Sequence, residues 1–298
     1  MASISTQEKG DIKSLFHDPD HYIKSFGVFV KASTNIDSNW KENVFNEAVV
    51  AKLQVNIPDG EEFAALGVGV GSGKLDTKMM CKLRNRYPCI KNIAVEPAAG
   101  QIKLYKELVT TMADKLDGIT IDWRKQGLDE FRKAKVARGD TTKYHFISAI
   151  HSLYYVDDME DSLKWLYEQL EDGGMMLIIT LSDDSGVWRL RNRYKFFEDR
   201  LVRFINSEHI RQAFSKQKIP FTDYKQTARV DITDSFEEDS VDGQLKVDFI
   251  AQVMNFHTTA SPALQRGLME YLRGPDCSEH KDGKVLFNNN WDAVIVTK

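Results

Sequence analysis

Along the chain, apolar runs alternate with stretches whose apolar residues recur every three or four positions. Residues 63–68 form an apolar run ending in glycines, the pattern of a buried strand. Leu75, Met79 and Leu83 then share one helical face, and 91–95 gives a second short strand. Ile102, Tyr105, Leu108, Val109, Met112 and Leu116 line a longer amphipathic helix, followed by strands at 119–123 and 144–150. Met159, Leu163, Leu166 and Leu170 predict the next helix, and Gly173-Gly174 turns the chain into a strand at 175–181. Strands separated in this way by helices need crossover connections, so the expected core is a mostly parallel α/β sheet covered on both faces.

The two ends follow other patterns. Asp18-Pro19 is a helix start, with a capping carboxylate followed by proline at the first helical position. Tyr22, Phe26, Phe29 and Val30 then give that helix an aromatic face. Further helices are expected at 207–216 and 263–272, and strands at 284–287 and 291–297 on either side of an asparagine run at 288–290. No repeat, low-complexity tract or linker divides the chain. The expected organisation is one structural unit: a helical cover segment over 1–55 and a catalytic α/β domain over 56–298, with helical insertions near 185–217 and 240–282.

Composition narrows the function classes. A chain of 298 residues, 42% hydrophobic, can bury a substantial core, and a formal charge of −4 gives no electrostatic reason for a nucleic-acid or membrane partner. Three cysteines without zinc or CxxC spacing suit a reducing compartment. The first residues lack the apolar centre of a signal peptide, and 175–181 is too short to span a bilayer, so a cytoplasmic protein is expected. Its oligomeric state is open and compatible with a monomer.

The sharpest chemical signal is LGVGVGSGKLD at 66–76. Gly69, Gly71 and Gly73 follow a buried strand and open a helix, where bare backbone lets a ligand come close and helix N–H groups face it. A glycine loop of this kind also serves purely steric turns. Glu96 strengthens the functional reading: it ends the second strand, about twenty residues on, where an acid can accept both hydroxyls of a ribose. Together they point to an adenosine-containing ligand at the carboxyl ends of the strands. A nicotinamide dehydrogenase is the competing class, although its usual spacing is GxGxxG rather than the GxGxG found here.

Beyond these features the sequence resembles the histamine N-methyltransferase family of class I S-adenosylmethionine-dependent methyltransferases, with which the GxGxG loop is also associated. The resemblance is carried by KSLF (13–16) with Tyr22 and Phe26, by VEPAAGQIKLYKELV (95–109), and by LYYVDD (153–158). It continues through LIITLSDDSG (177–186), DITDSF (231–236), MNFHTTASP (254–262) and KDGKVLFNN (281–289). It implies a Rossmann-like seven-stranded sheet with a helical substrate cover, S-adenosyl-L-methionine as cofactor, and no metal. The family's cofactor positions fall on Gly69, Glu96, Gln101 and Ile150. Its substrate-facing aromatics fall on Phe16, Tyr22, Phe26, Tyr154, Tyr155 and Phe249, and a substrate-binding amide falls on Asn289.

Four departures bear on the substrate. Asn35 stands where the family has a carboxylate, His151 where it has a glutamine, and Arg191 and Arg203 where it has an aromatic and an amide. One anion lost and two cations gained suit a substrate carrying a carboxylate, so carnosine and histidine compete with histamine as the small imidazole or amine acceptor. A relative that binds cofactor or amine without turnover is the alternative of another class. The expected chemistry is in-line displacement at the sulfonium methyl by a neutral nitrogen, with His151 accepting a hydrogen bond or proton from the substrate and Tyr154 beside it.

Overall fold

The apolar runs become strands β1 (Phe63–Val68), β2 (Ile90–Val95), β3 (Ile119–Arg124), β4 (Tyr144–Ile150) and β5 (Leu170–Leu181) in the computed structural model of the protein. Strands β6 (Phe221–Gln226) and β7 (Trp291–Thr297) complete the sheet. The structure describes residues 11–33, 45–58, 60–194, 196 and 204–298. Helices α1 (Lys74–Arg84), α2 (Ala99–Thr111), α3 (Leu128–Ala137) and α4 (Met159–Glu168) make the crossovers between consecutive strands from β1 to β5, and α5 (Ser207–Gln217) precedes β6.

The spatial order is β3-β2-β1-β4-β5-β7-β6. All pairs from β3 across to β5 are parallel, as crossover helices require. From β1 the chain runs outward through β2 and β3, then returns to lay β4 against the other side of β1. The order therefore reverses between β1 and β4, and loops leaving their carboxyl ends part around a crevice, the usual place for a ligand in such sheets. Phe63, Leu66, Phe146, Ile147, Leu177 and Ile178 are fully or almost fully buried within this sheet.

The chain divides into two compact units that alternate along the sequence. Most of the sheet lies in the unit made of Asp37–Thr180, Ser207–Tyr224 and Asp292–Lys298. The other comprises Met1–Ile36, Leu181–Asn206 and Lys225–Trp291. It packs helix Pro19–Lys31, helix Val241–Ala251 and helix Pro262–Arg273 around a core that includes Phe29, Leu190, Val247, Ile250, Phe256, Leu268 and Phe287. A three-stranded antiparallel sheet of Arg229–Asp231, Lys284–Asn288 and Ser278–Lys281 belongs to the same unit. Asp18 caps the first helix as its sequence predicts, its carboxylate accepting the His21 N–H at 2.9 Å.

Two expectations need correction. Leu170 does not end a helix: α4 stops at Glu168, and Leu170 pairs with Tyr144 as the first residue of β5. The Gly173-Gly174 pair accordingly lies inside the strand, within a register irregularity between the Tyr144 and Phe146 pairings, rather than in a turn before it. Gly173 has φ +78°, and a Cβ there would lie 2.7 Å from the Gln54 carbonyl oxygen, so close backbone approach explains the glycine.

Candidate active site

The crevice at the carboxyl ends of β1 and β2 is built from backbone as much as from side chains. Gly69, Gly71 and Gly73 have φ of +64°, +55° and +74°, the left-handed region that glycine enters without strain. A Cβ on Gly69 would lie 2.4 Å from that of Ser152, which follows β4, so the loops of these neighbouring strands approach backbone to side chain. Gly73 caps α1, and a Cβ there would drive into the Tyr105 ring at 2.2 Å.

Glu96, the first residue beyond β2, reaches this loop directly. One carboxylate oxygen accepts the Gly71 N–H at 2.9 Å and the other accepts the Ala98 N–H at 2.9 Å, with the residue 7% exposed. Each carboxylate oxygen has a second lone pair, so both retain capacity for hydroxyl groups. Gln101, in the first turn of α2, lies beside the loop, its Oε1 3.9 Å from the place of a Gly71 Cβ. Its amide has no hydrogen-bond partner among the described residues. Ile150 closes β4 opposite Ile179 of β5. An acid bound to a bare glycine loop, with an uncommitted amide one turn away, fits a ligand carrying ribose hydroxyls and polar groups.

His151 takes φ +50° as the chain leaves β4, while its N–H donates to the Ile179 carbonyl at 2.8 Å. Its Nδ1 lies 3.1 Å from the Tyr154 hydroxyl oxygen, which also accepts the Thr180 hydroxyl at 2.9 Å. The ring is exposed, yet surrounding protein strips enough water from it to lower its pKa to about 4, so the imidazole is neutral at pH 7. Tyr154 and Tyr155 meet edge to face at 6.2 Å, and Tyr155 is 51% exposed.

In the other unit the structure gathers the predicted aromatics around Phe249. Its ring lies 5.9 Å from Tyr22, 5.3 Å from Phe26 and 4.7 Å from Phe29, while Phe16 stacks on Tyr22 at 5.5 Å. Phe29 is buried and serves as the floor of the set; Phe26 is exposed. Sequence reasoning missed the fastening beside them: buried Asp248 accepts His21 Nε2 at 2.7 Å and the N–H groups of Asn255 and Phe256 at 3.0 and 2.8 Å. An acid within the apolar run VDFIA was the available signal.

A methyltransferase domain model matches residues 56–218. The mouse histamine N-methyltransferase is 33% identical over 96% of this chain and 97% of its own length. The rat enzyme of that name is 34% identical over 96% and 97%. The chain belongs to the histamine N-methyltransferase family. A crystal structure of the YcgJ protein from Bacillus subtilis shares the fold, with a TM-score of 0.51 at 10% identity, covering 85% of this chain and 97% of that one.

Membership in the histamine N-methyltransferase family makes the protein a methyltransferase that uses S-adenosyl-L-methionine, and removes the dehydrogenase reading. Among the described residues no group of three or more His, Cys, Asp and Glu side chains could hold a metal ion, and no helix is long and apolar enough to cross a membrane. Of the positions where this member departs from the family, Arg191 is described and donates Nε to the Ile250 carbonyl at 3.4 Å, next to Phe249. Asn35 and Arg203 lie outside the described residues. In the asparagine run, Asn288 donates to the Asp184 carbonyl, and Asn290 is held by Ala228, Arg229 and Asp184. The Asn289 side chain, between them, has no hydrogen-bond partner among the described residues, though its N–H donates to the Ala228 carbonyl.

Proposed function

We propose that the protein transfers the methyl group of S-adenosyl-L-methionine to a nitrogen of a small imidazole or amine, with histamine the first candidate. The supporting observation is the match to histamine N-methyltransferases over 96% of the chain, which includes the regions beyond the generic cofactor fold. When bound, S-adenosylmethionine would supply a methyl on a positive sulfur, which a nitrogen lone pair would take by forming an N–C bond as the C–S bond breaks and its electron pair returns to sulfur. The chain's part is orientation. In this reading Gly69, Gly71, Gly73, Glu96, Gln101 and Ile150 hold the cofactor. Phe16, Tyr22, Phe26, Tyr154, Tyr155 and Phe249 offer ring faces to a flat imidazole and a positive charge. Asn289 supplies its uncommitted amide. His151, neutral at pH 7, accepts a hydrogen bond from the substrate and fixes which of its nitrogens keeps a lone pair.

A second reading follows from the charge changes in the sequence, Arg191 and Arg203 gained and a carboxylate replaced by Asn35: a carboxylate-bearing imidazole such as carnosine or histidine. In either reading the protein works in the cytoplasm on a small molecule, without nucleic acid or membrane.

The test incubates purified protein and S-adenosylmethionine with histamine, histidine, carnosine and several aryl amines, and reads by mass spectrometry which compound gains one methyl group. Methylated histamine supports the first reading, and a preference for carnosine or histidine supports the second. Tight cofactor binding with no methylated product on the whole panel marks a non-catalytic relative and ends both.

A further inference from the structure

The parallel register sets Ile150 opposite Ile179, and the His151 N–H continues onto the Ile179 carbonyl at 2.8 Å. Thr180 is therefore the next residue of β5 at the level where His151 leaves the ladder with φ +50°. The short helical turn Leu153–Tyr155 then brings Tyr154 back across this gap. The Thr180 hydroxyl, in a residue 2% exposed, donates to the Tyr154 oxygen at 2.9 Å, and that oxygen lies 3.1 Å from His151 Nδ1. We infer that Thr180 is a positioning residue for methyl transfer, anchoring the Tyr154 hydroxyl so that it fixes the direction of the His151 ring.

The chain of contacts removes rotational freedom. An exposed imidazole turns about two side-chain torsions, and a contact at Nδ1 selects among its orientations. Tyr154 makes that contact from a short turn, and its hydroxyl is tied down by the hydroxyl of a buried residue near the end of β5. With Nδ1 turned to Tyr154, the nitrogen left to meet a ligand is Nε2, which has no partner among the described residues. Valine would keep the shape of Thr180 and its preference for strand, yet could not donate. Serine would keep the hydroxyl.

This inference rests on the proposed contact of His151 with substrate, and the experiment separates the two. Thr180→Val should lower kcat about three- to tenfold, the worth of one neutral hydrogen bond, and leave the cofactor Kd unchanged. Thr180→Ser should restore kcat. In the cofactor-free protein the His151 ring-proton NMR resonances should move in the valine variant and return in the serine variant. His151→Ala, which removes the acceptor, should itself lower kcat, and adding Thr180→Val to it should cost nothing more. A valine variant with unchanged kcat and unmoved resonances overturns the role of Thr180 while leaving that of His151 intact. A His151→Ala enzyme as fast as the parent overturns the role of His151, and the resonances of the parent and the Thr180 variants then still report whether Thr180 orients the ring.

Discussion

Glu96 holds the glycine loop with one oxygen and the start of α2 with the other, so its carboxylate shapes the crevice proposed for the cofactor. Glu96→Ala should weaken S-adenosylmethionine binding about tenfold or more, the worth of a charge-assisted hydrogen bond, while the protein stays folded. Calorimetry returning the parental affinity would remove Glu96 from the site. Glutamate and glycines were legible because strand ends in a parallel sheet have fixed meaning; Phe249 and Asn289 were reached only through family resemblance, because packing rather than spacing puts Phe249 among aromatics from 16–29. His151 adds a titration. Its folded pKa is lowered from 6.5 to about 4, so between these values the unfolded chain binds a proton that the folded one does not. Its contribution to stability is thus complete above 6.5 and fades as pH falls toward 4. Denaturation of the parent and of His151→Gln should show the parent losing stability faster across that acid window; a constant difference would mean the ring is charged in the fold.

The glycine loop is where element geometry separates folding from binding. At Gly73 a methyl group meets both a left-handed φ and the Tyr105 ring, whose hydroxyl donates to buried Asp76 in the first turn of α1. At Gly71 the φ is also left-handed, but the nearest atom to a Cβ is Gln101 Oε1 at 3.9 Å. Gly73→Ala should therefore cost about 2–4 kcal/mol of stability by combined backbone strain and overpacking. Gly71→Ala should cost only about 1 kcal/mol and instead show its effect in cofactor affinity. Thermal unfolding and calorimetry on the two variants check the contrast, and equal destabilisation would refute it. Two helices lack a continuous apolar stripe in the sequence, α3 and helix Val241–Ala251. In α3, Leu128 and Phe131 are followed on the same face by Lys135, buried by its stem while Nζ bonds Asp140 and the Thr142 carbonyl. Helix Val241–Ala251 is buried nearly all round, with Lys246 on Asp234 and Asp248 on His21, so no single face stands out.

Across the whole molecule, strands β1 to β5 were legible in outline, whereas β6 was not: its residues are half-buried or exposed along their length, as suits an edge strand. Nor does local pattern reveal that the chain leaves the sheet unit near residue 180 and returns at 207 and 292, since that depends on long-range pairing. Every proposed cofactor position, from Gly69 through Glu96 and Gln101 to Ile150, lies in the sheet unit, so cofactor bound there should stabilise that unit by mass action. At a concentration about 100 times Kd the gain is roughly 2.7 kcal/mol, which shifts Tm by about 4 °C if all 298 residues melt together and roughly twice that if the sheet unit melts alone. S-adenosylmethionine should produce the shift, NAD should not, and Glu96→Ala should abolish most of it. The reverse pattern, a shift with NAD and none with the methyl donor, would contradict the assignment of this crevice; a donor-induced shift that survives in Glu96→Ala would keep the ligand and move its site away from the tip of β2.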